Sequence, residues 1–385
     1  MRFLHLVLRS LLRSRRRTVL TVLSLAVSVM LVAILQSVLF TLDSFAHNPN
    51  ASNRIAVRHK VSITNLIPYR YIEWLRQQPE VDAVMGLQWF GGVYQDPKNF
   101  FPNFAADPEP ITRVFKEELV EYSEAQFKDF VRDRNSCIAG HALMEKYGWK
   151  VGDVITLKGT IFPMDARLTI RGTWRSRRGT DEQALYFHWK LVEERFPSLK
   201  GKIGNFWVRA KNPDDVPRLI ERIDRHFADA VEPTHSETEN AFQLAFLKMM
   251  GDYASMIHAI TAAVLVAILI VTANTMAMAI RERATEIAVF RAMGFTGTQV
   301  LGLLMVEGLL LTVAGGGTGL LLSFGMAGAV RQTAGTFLPY LADFTIAPET
   351  LLLCAHATMV LGILSTFIPA YRAVRRPIVE GLRAL

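Results

Sequence analysis

The chain has 385 residues, 50% of them hydrophobic and 20% charged, and its 43 Lys and Arg against 35 Asp and Glu give a formal net charge of +8. Uncharged runs of membrane length interrupt the charged residues, and this excludes a wholly soluble protein. The two cysteines, Cys137 and Cys354, are too few for a disulfide framework.

Four apolar segments are long enough to cross a bilayer, whose hydrocarbon core takes roughly 20 residues of helix. They lie at 18–42, 253–280, 292–330 and 350–371. Lipid leaves backbone groups no partner outside the segment, so each is expected to be a helix. The first could also be a cleaved signal peptide, but its uncharged run is longer than such peptides use, which favours an uncleaved anchor.

The basic residues near the span ends predict the orientation of the chain. They cluster before the first span, between the second and third spans and after the fourth, whereas Arg331 is the one basic residue between the third and fourth. Because Lys and Arg concentrate on the cytosolic side, both termini are expected in the cytosol. The positive charge thus reports topology and contact with membrane lipid, and nucleic acid is not an expected partner.

These assignments predict an integral membrane α-helical protein with four transmembrane helices and a large mixed α/β extracytoplasmic domain between the first and second helices. The expected boundaries are a cytosolic basic N-terminus at 1–17, a span at 18–42, the outer domain at 43–250, a span at 251–280, a cytosolic loop at 281–297, a span at 298–330, a short outer loop at 331–349, a span at 350–371 and a cytosolic C-terminus at 372–385.

The outer domain shows both helical and strand patterns, and its size suggests two lobes whose boundary the sequence leaves open. Helical spacing occurs at 68–78, 139–147 and 213–227. Alternating or β-forming stretches occur at 54–61, 81–93, 153–158, 167–174, 184–187 and 202–210. From Ser236 the pattern is helical up to the second span, and Ser236 with Glu239 fits a capping box. A continuous, stiff helix is therefore expected to join the outer domain to that span.

A segment dense in aromatic residues lies within the outer domain. Exposed rings in a loop would form a contact surface for cargo or a partner, and the alternative is that they fill the core of the domain. The candidate contacts are Trp89, Phe90, Tyr94, Phe100, Phe101 and Phe104.

Local signatures of catalysis are missing from the sequence. It contains no phosphate-binding loop, no metalloprotease motif and no nucleophile elbow, and its histidines form no ligand-like cluster. An enzyme is therefore disfavoured, and neither a metal nor a cofactor is expected to bind this chain.

The loop after the second span carries the most informative pattern. It leaves the membrane near Ile280 and has no Gly or Pro before Gly294, which suits a helix stop. Mixed charge and apolar residues on neighbouring turns predict a short amphipathic helix that a soluble partner could contact, although a simple polar connector has the same periodicity.

The segment 274–295, NTMAMAIRERATEIAVFRAMGF, strongly resembles the cytosolic loop of the MacB/FtsX-like family of ABC-transporter permeases. The N-terminal LRSLLRSRRRTVLTVLSLAVSV, the stretch ALMEKYGWKVGDVITL and the C-terminal PAYRAVRRPIVEGLRAL also resemble that family. Residues 89–135 match none of its features.

This resemblance implies a multi-pass permease of the bacterial inner membrane that works as a dimer with a second copy or homologue. A separate cytosolic ABC ATPase subunit would bind ATP and Mg, and a periplasmic adaptor or enzyme is a further candidate partner. In the family, the cytosolic loop forms a coupling helix seated in the ATPase. By resemblance, the coupling residues are Glu282, Arg283, Glu286, Ile287, Arg291, Met293 and Gly294.

Two features inside the spans suggest packing. Small residues recur every four positions, which allows close helix approach within the chain or in a dimer: Ser255, Ala259, Ala263 and Ala267 in the second span, and Gly315, Gly319, Ser323 and Ala327 in the third. Glu307 is the lone acidic residue in a span, a functional candidate for which a structural ion pair or a protonated carboxyl is the preferred interpretation.

Two functions are consistent with these observations. The first is a permease subunit that couples ATP hydrolysis on the partner to movement of the outer domain, exporting lipid, lipoprotein, peptide or drug-like cargo. The alternative is a mechanotransmitter that regulates an extracytoplasmic enzyme and transports nothing.

Overall fold

The structure is a computed structural model that describes residues 15–46, 48, 51–96, 99, 101–249, 251–337, 341 and 344–375. The predictions for 1–14, for Phe100, for 376–385 and for part of the loop at 331–349 lie outside the described residues. Two compact units are present. The helical unit contains 15–40, 252–329 and 344–375, and the sheet unit contains 41–251 with the described part of 330–343.

The helices are α1 (Arg15–Ala46), α2 (Tyr71–Arg76), α3 (Ile111–Val114), α4 (Glu124–Arg132), α5 (His141–Tyr147), α6 (Trp189–Arg195), α7 (Val216–His226), α8 (Glu239–Met249), α9 (Tyr253–Glu282), α10 (Ala284–Ala292), α11 (Gly297–Phe337) and α12 (Pro348–Val374). The strands are β1 (Arg54–His59), β2 (Ile67–Pro68), β3 (Val81–Trp89), β4 (Gly92–Tyr94), β5 (Asn103–Ala106), β6 (Glu121–Tyr122), β7 (Ser136–Gly140), β8 (Val154–Gly159), β9 (Asp165–Arg175), β10 (Leu185–His188), β11 (Lys202–Ile203), β12 (Asn205–Ala210) and β13 (Thr234–Thr238).

Four helices of the described chain are long and apolar enough to cross a membrane, and they confirm the predicted spans. They are α1, α9, α11 and α12, with membrane-length segments at Arg15–Ser44, Tyr253–Glu282, Gly297–Arg331 and Pro348–Val374. Each predicted apolar run lies within one of these helices or extends into its flank, because hydropathy over about 20 residues is a strong signal of a spanning helix.

The small residues of α11 pack against their own chain. A Cβ on Gly319 would lie 2.5 Å from the backbone O of Ala26, and one on Gly315 would lie 2.6 Å from Cβ of Leu25. Ser323 and Ala327 continue this buried stripe with 0% and 4% exposure. The stripe therefore lets α1 approach α11 more closely than larger side chains would permit.

The small residues of α9 have the opposite environment. Ser255, Ala259, Ala263 and Ala267 are all exposed in the single chain, whereas Ile257, Thr261 and Ile268 on the other side of the helix are buried. The predicted stripe thus exists, but no described residue of the chain covers it.

One mixed sheet of eleven strands organises the sheet unit, with the order β13-β1-β12-β3-β5-β10-β7-β9-β8-β4 and β6 paired to β9. Among the described strands, β5–β10 and β7–β9 are parallel pairs and the other pairs are antiparallel. Strands β3 and β4 are consecutive along the chain, yet five strands separate them in the sheet: β5, β10, β7, β9 and β8. The sheet runs through the whole unit, and its division into two lobes stays a prediction.

Most predicted strands and helices of the sheet unit are present within a few residues. The sequence missed β2, β5, β6, β7, β13, α3, α4 and α6. For α4 a local signal was present, because Ser123 caps it by accepting a hydrogen bond from the backbone N–H of Gln126. Two buried cores lie on opposite faces of the sheet, one including Phe187 and Phe206 and the other including Tyr186 and Trp207. Successive side chains along a strand point to these two faces in turn, and this explains why the period-two pattern predicted the strands.

The predicted stiff helix from Ser236 into the second span is wrong. Ser236 lies in β13, and α8 begins only at Glu239, where Thr238 Oγ1 accepts from the backbone N–H of Ala241. The helix ends at Met249, Gly251 adopts a left-handed φ of 113°, and Asp252 caps the start of α9. A glycine followed by an N-cap aspartate stops one helix and begins another.

The Gly319 contact yields a direct test of the α1–α11 packing. Gly319→Val should destabilise the chain by about 1–3 kcal/mol, because the added side chain meets backbone that cannot rotate away. Thermal unfolding in lipid nanodiscs measures the effect. Gly317→Val is the matched control, since a Cβ there has no neighbour within 4 Å. Equal melting temperatures for the two variants would contradict this packing.

Candidate functional site

The short helix α10 follows α9 after a break at one residue. Arg283 leaves the helical conformation with φ −111° and separates Glu282, the last residue of α9, from Ala284. The predicted helix is therefore interrupted once. Its predicted stop at Gly294 is present, because that glycine has a φ of 96° and the N–H of Phe295 donates to the carbonyl of Phe290.

The inner face of α10 packs against other helices of the helical unit. Ile287 is 7% exposed and belongs to an apolar cluster with Ile280 of α9, Val300 and Leu304 of α11, and Ala370 of α12. Ile287 thus packs within the chain, and its role as a coupling residue stays a prediction. An apolar stripe shows which face of a helix is covered, but not by which chain.

The face of α10 opposite this cluster exposes a small apolar patch that the sequence only partly identified. Val289 and Met293 are 40% and 62% exposed and lie one turn apart, and Phe295 beyond the helix end is 36% exposed. Glu286 is exposed one turn earlier on the same face. The sequence analysis missed Val289 and Phe295. The spacing of four residues between Val289 and Met293 could have indicated Val289.

Two other charged candidates make contacts within the helical unit. Glu282 forms an ion pair with Arg17 of α1. Arg291 Nη1 donates to the carbonyl O of Val374 at 2.8 Å, which satisfies an open carbonyl at the end of α12. These two side chains therefore have structural contacts that the resemblance did not predict.

Glu307 forms an ion pair with the residue at the α9–α10 break. Arg283 Nη1 donates to both carboxylate oxygens of Glu307, at 2.9 and 2.8 Å. The side chains are 15% and 8% exposed, so the pair is largely shielded from solvent. The bond attaches the break to the first third of α11, as the structural interpretation of Glu307 predicted.

The aromatic candidates of the sheet unit divide into two groups. Phe90 and Phe101 are fully buried, and Tyr94 packs edge-on against Trp149 with ring centroids 5.0 Å apart. Phe90 and Phe101 therefore fill the core, and their prediction as cargo or partner contacts is wrong. The signal that separates core rings from surface rings is tertiary, because neighbouring residues of the segment point to different faces.

Trp89 and Phe104 belong to the second group. Their rings meet edge-on at 5.2 Å and line a cavity, and Trp89 also lies 6.2 Å from the ring of Phe246 in α8. Phe246 was not among the sequence candidates, because its segment was assigned to the stiff helix expected between the outer domain and the second span.

A buried ionic cluster lies beside these rings. Arg54, which is fully buried, donates to Glu118 and Glu239, and its Nη1 is 2.6 Å from Glu118 Oε2. Arg209 pairs with Glu117 on the same side of the sheet. Burial opposes the charge on Arg54, but Glu239 and Glu118 outweigh burial and raise the pKa of the guanidinium.

Two carboxyl groups beside Arg54, those of Asp181 and Glu239, are harder to ionise than usual. Burial raises the pKa of Asp181 to about 6, against the opposing charge of Arg178. Burial also raises the pKa of Glu239, although Arg54 opposes this shift. The sequence offered no signal for this cluster, since its members are far apart along the chain. In the described residues, no group of His, Cys, Asp or Glu could hold a metal ion.

The Arg283–Glu307 pair can be tested by a double replacement. Glu307→Leu should cost about 3–5 kcal/mol of stability, because it leaves a shielded guanidinium without its carboxylate, whereas Arg283→Leu with Glu307→Leu should recover most of the loss. Thermal unfolding of the three chains in nanodiscs measures this. A double variant as unstable as Glu307→Leu alone would argue against the pair, and a stable Glu307→Gln chain without activity would show a further role.

Two family descriptions match the chain. The MacB-like periplasmic core domain matches residues 18–226, more than half of the chain, and the FtsX-like permease C-terminal domain matches residues 259–378. The first match spans most of the sheet unit, and the second spans α10 and most of the three spans that surround it.

Individual relatives agree with these descriptions. An uncharacterized ABC transporter permease of Methanocaldococcus jannaschii is 23% identical over 97% of this chain and 96% of its own length. The uncharacterized ABC transporter permease YknZ of Bacillus subtilis is 23% identical over 53% of this chain and half of its own length.

Two solved structures are also similar to part of the chain. The extracellular domain of YknZ from Gram-positive bacteria has a TM-score of 0.37 and 14% identity, covering 48% of this chain and all of that domain. The periplasmic region of MacB from Actinobacillus actinomycetemcomitans has a TM-score of 0.36 and 11% identity, covering 50% of this chain and 92% of that region. From the family matches along its length, the chain belongs to the MacB/FtsX-like family of ABC transporter permeases.

Proposed function

We propose that the chain is the permease subunit of an ABC exporter, and that a separate cytosolic ATPase subunit, which binds ATP and Mg, contacts the exposed face of α10. The cargo classes we expect are lipid, lipoprotein, peptide or drug-like molecules. The observation that carries this proposal is the apolar patch of Val289, Met293 and Phe295, with Glu286 on the same face.

The patch suits a protein partner because of its chemistry and its place in the chain. It follows the last turn of a membrane-length helix, beside the basic residues Arg281 and Arg291, which favour the cytosolic side. A methionine and a phenylalanine with large exposed fractions are typical anchors of protein interfaces. The charged neighbours would fix the orientation of the partner.

The attachments of α10 support a role in passing on movement. Its inner face packs on α9, α11 and α12 through the cluster around Ile287. Arg283 ties it to Glu307, and Arg291 ties it to the end of α12. A displacement of α10 by the ATPase would therefore act on three spans together.

The orientation and location follow from the same charge pattern. We place the chain in the bacterial inner membrane with both termini in the cytosol, since the basic residues flank the inner ends of the spans. A periplasmic adaptor or enzyme would then meet the sheet unit.

Stimulation of ATP hydrolysis by cargo would favour export, whereas stimulation only by an outer enzyme would favour the mechanotransmitter.

A second permease copy is the expected partner of the exposed small-residue stripe on α9. Because small side chains allow close helix approach in lipid, Ala263→Cys should form a disulfide-linked dimer under mild oxidation, detected by non-reducing electrophoresis. The two natural cysteines are buried and should stay silent. Leu321→Cys, at a position 74% exposed on α11, is the control that should remain monomeric. Crosslinking at Leu321 but not at Ala263 would assign the dimer to another face.

The contact with the ATPase is tested at Met293. Met293→Glu should lower co-purification of the ABC ATPase with the tagged chain about 10-fold, because a charge would be buried in an apolar interface. Mass spectrometry of the purified complex and its ATP hydrolysis measure the loss. Val231→Glu, at a position 84% exposed in the sheet unit, is the matched control. Full co-purification of the Met293→Glu chain would refute the assigned contact face.

A further inference from the structure

A large cavity lies within the sheet unit, between α8 and one face of the sheet. Its volume is about 700 Å³, within the range of sites that hold drug-sized ligands. Aromatic rings from the sheet and from α8 line it and contact one another. The ring centroids of Trp207 and Phe242 are 5.7 Å apart, and those of Trp174 and Tyr186 are 5.5 Å apart. The cavity therefore offers an apolar, mostly aromatic surface.

The charged lining of this cavity has one sign. Glu118, Asp181 and Glu239 line it, and none of its described lining residues is Lys, Arg or His. Arg54 stands behind the lining and donates to Glu118 and Glu239, while Asp181 accepts from Ser176 Oγ at 3.1 Å. One guanidinium thus serves two of the three carboxylates, and the wall of the cavity is acidic.

Several buried polar atoms of the lining residues lack a hydrogen-bond partner among the described residues. Three are amide oxygens, on Gln88, Asn205 and Gln243, and two are the indole nitrogens of Trp174 and Trp207. The amide group of Gln243 uses its nitrogen to donate to Glu239, which leaves the oxygen as an acceptor. Since buried polar groups are normally paired, the three amide oxygens point to a ligand that can donate hydrogen bonds, whereas the two indole N–H groups are donors and need an acceptor.

We propose that this cavity binds a cationic amphiphile, a molecule with an apolar body and a protonated amine whose N–H groups can donate hydrogen bonds. The body would lie among the rings of the sheet and α8, and the cation would lie toward Asp181 and Glu239. Aromatic faces attract cations, and an acidic wall without basic residues excludes carboxylates and phosphates. Whether the bound molecule is cargo depends on the exporter function proposed above, but binding itself does not.

The helix α8 contributes to both parts of the site. Glu239 at its first turn belongs to the acidic wall, and Phe242 and Phe246 on the following turns belong to the aromatic wall. Because these residues are spaced by three and four positions, they share one face of the helix. A ligand in the cavity would therefore contact α8 along about two turns.

The test uses the full chain in phosphatidylcholine nanodiscs at about pH 7.5 and three probes of similar shape. They are cationic 4-phenylbutylammonium, neutral 4-phenylbutan-1-ol and anionic 5-phenylpentanoate, measured by equilibrium dialysis against empty nanodiscs. We expect saturable binding of the cation at one site per chain, about 10-fold tighter than binding of the anion. Absence of saturable cation binding, or equal affinity for cation and anion, would overturn the proposal.

Two variants locate the bound probe. Asp181→Asn should weaken the cation about 5- to 10-fold and leave the alcohol unchanged, because only the charge contact is lost. Phe246→Ala should weaken both probes alike, since it removes part of the aromatic wall. Asp229→Asn, at an exposed carboxylate on the loop after α7, is the control and should bind all three probes as the unchanged chain does. Unchanged cation affinity in Asp181→Asn would place the cation elsewhere. The assay contains no ATPase, so its failure is distinct from failure of the coupling contact.

Discussion

The anchoring of α10 to three membrane-length helices is the constraint on which the rest of the helical unit depends. A helix of nine residues is too short to be stable alone, so its shape comes from the surfaces it packs on. Ile287 supplies the apolar contact, and Arg283 and Arg291 supply polar contacts to α11 and α12. These contacts leave the opposite face, with Met293, open for a second protein.

The two units use buried polar groups for different purposes. In the helical unit, Arg283 and Glu307 neutralise each other at a helix break, where they fix the position of one residue. In the sheet unit, Arg54 balances only part of a carboxylate cluster, and burial raises the pKa of its members Asp181 and Glu239. The first arrangement is complete within the chain, whereas the second leaves acidic character on the wall of a cavity.

The sequence predicted the spans well and the surfaces poorly, for one physical reason. A run of apolar residues such as 350–371 reports its environment locally, since any helix of that composition must leave water. The burial of Ile287 and the exposure of Val289 depend instead on helices far away in the chain. The same holds for Phe90 and Trp89, which are adjacent but face different neighbours. The break at Gly251 did have a local signal, a glycine before an N-cap aspartate, which the helical periodicity around it obscured.

That break has a consequence for how the two units are joined along the chain. The boundary between them falls at Phe40–Thr41 inside the unbroken helix α1, at Gly251–Asp252 between α8 and α9, and at Ala329–Val330 inside the unbroken helix α11. The connections through α1 and α11 have a continuous hydrogen-bonded backbone that resists twisting, whereas the connection at Gly251 is a joint where φ and ψ can turn with little cost. Torque about the axis of α9 would be lost at this joint, so torsion would pass along α1 and α11 and not along α9.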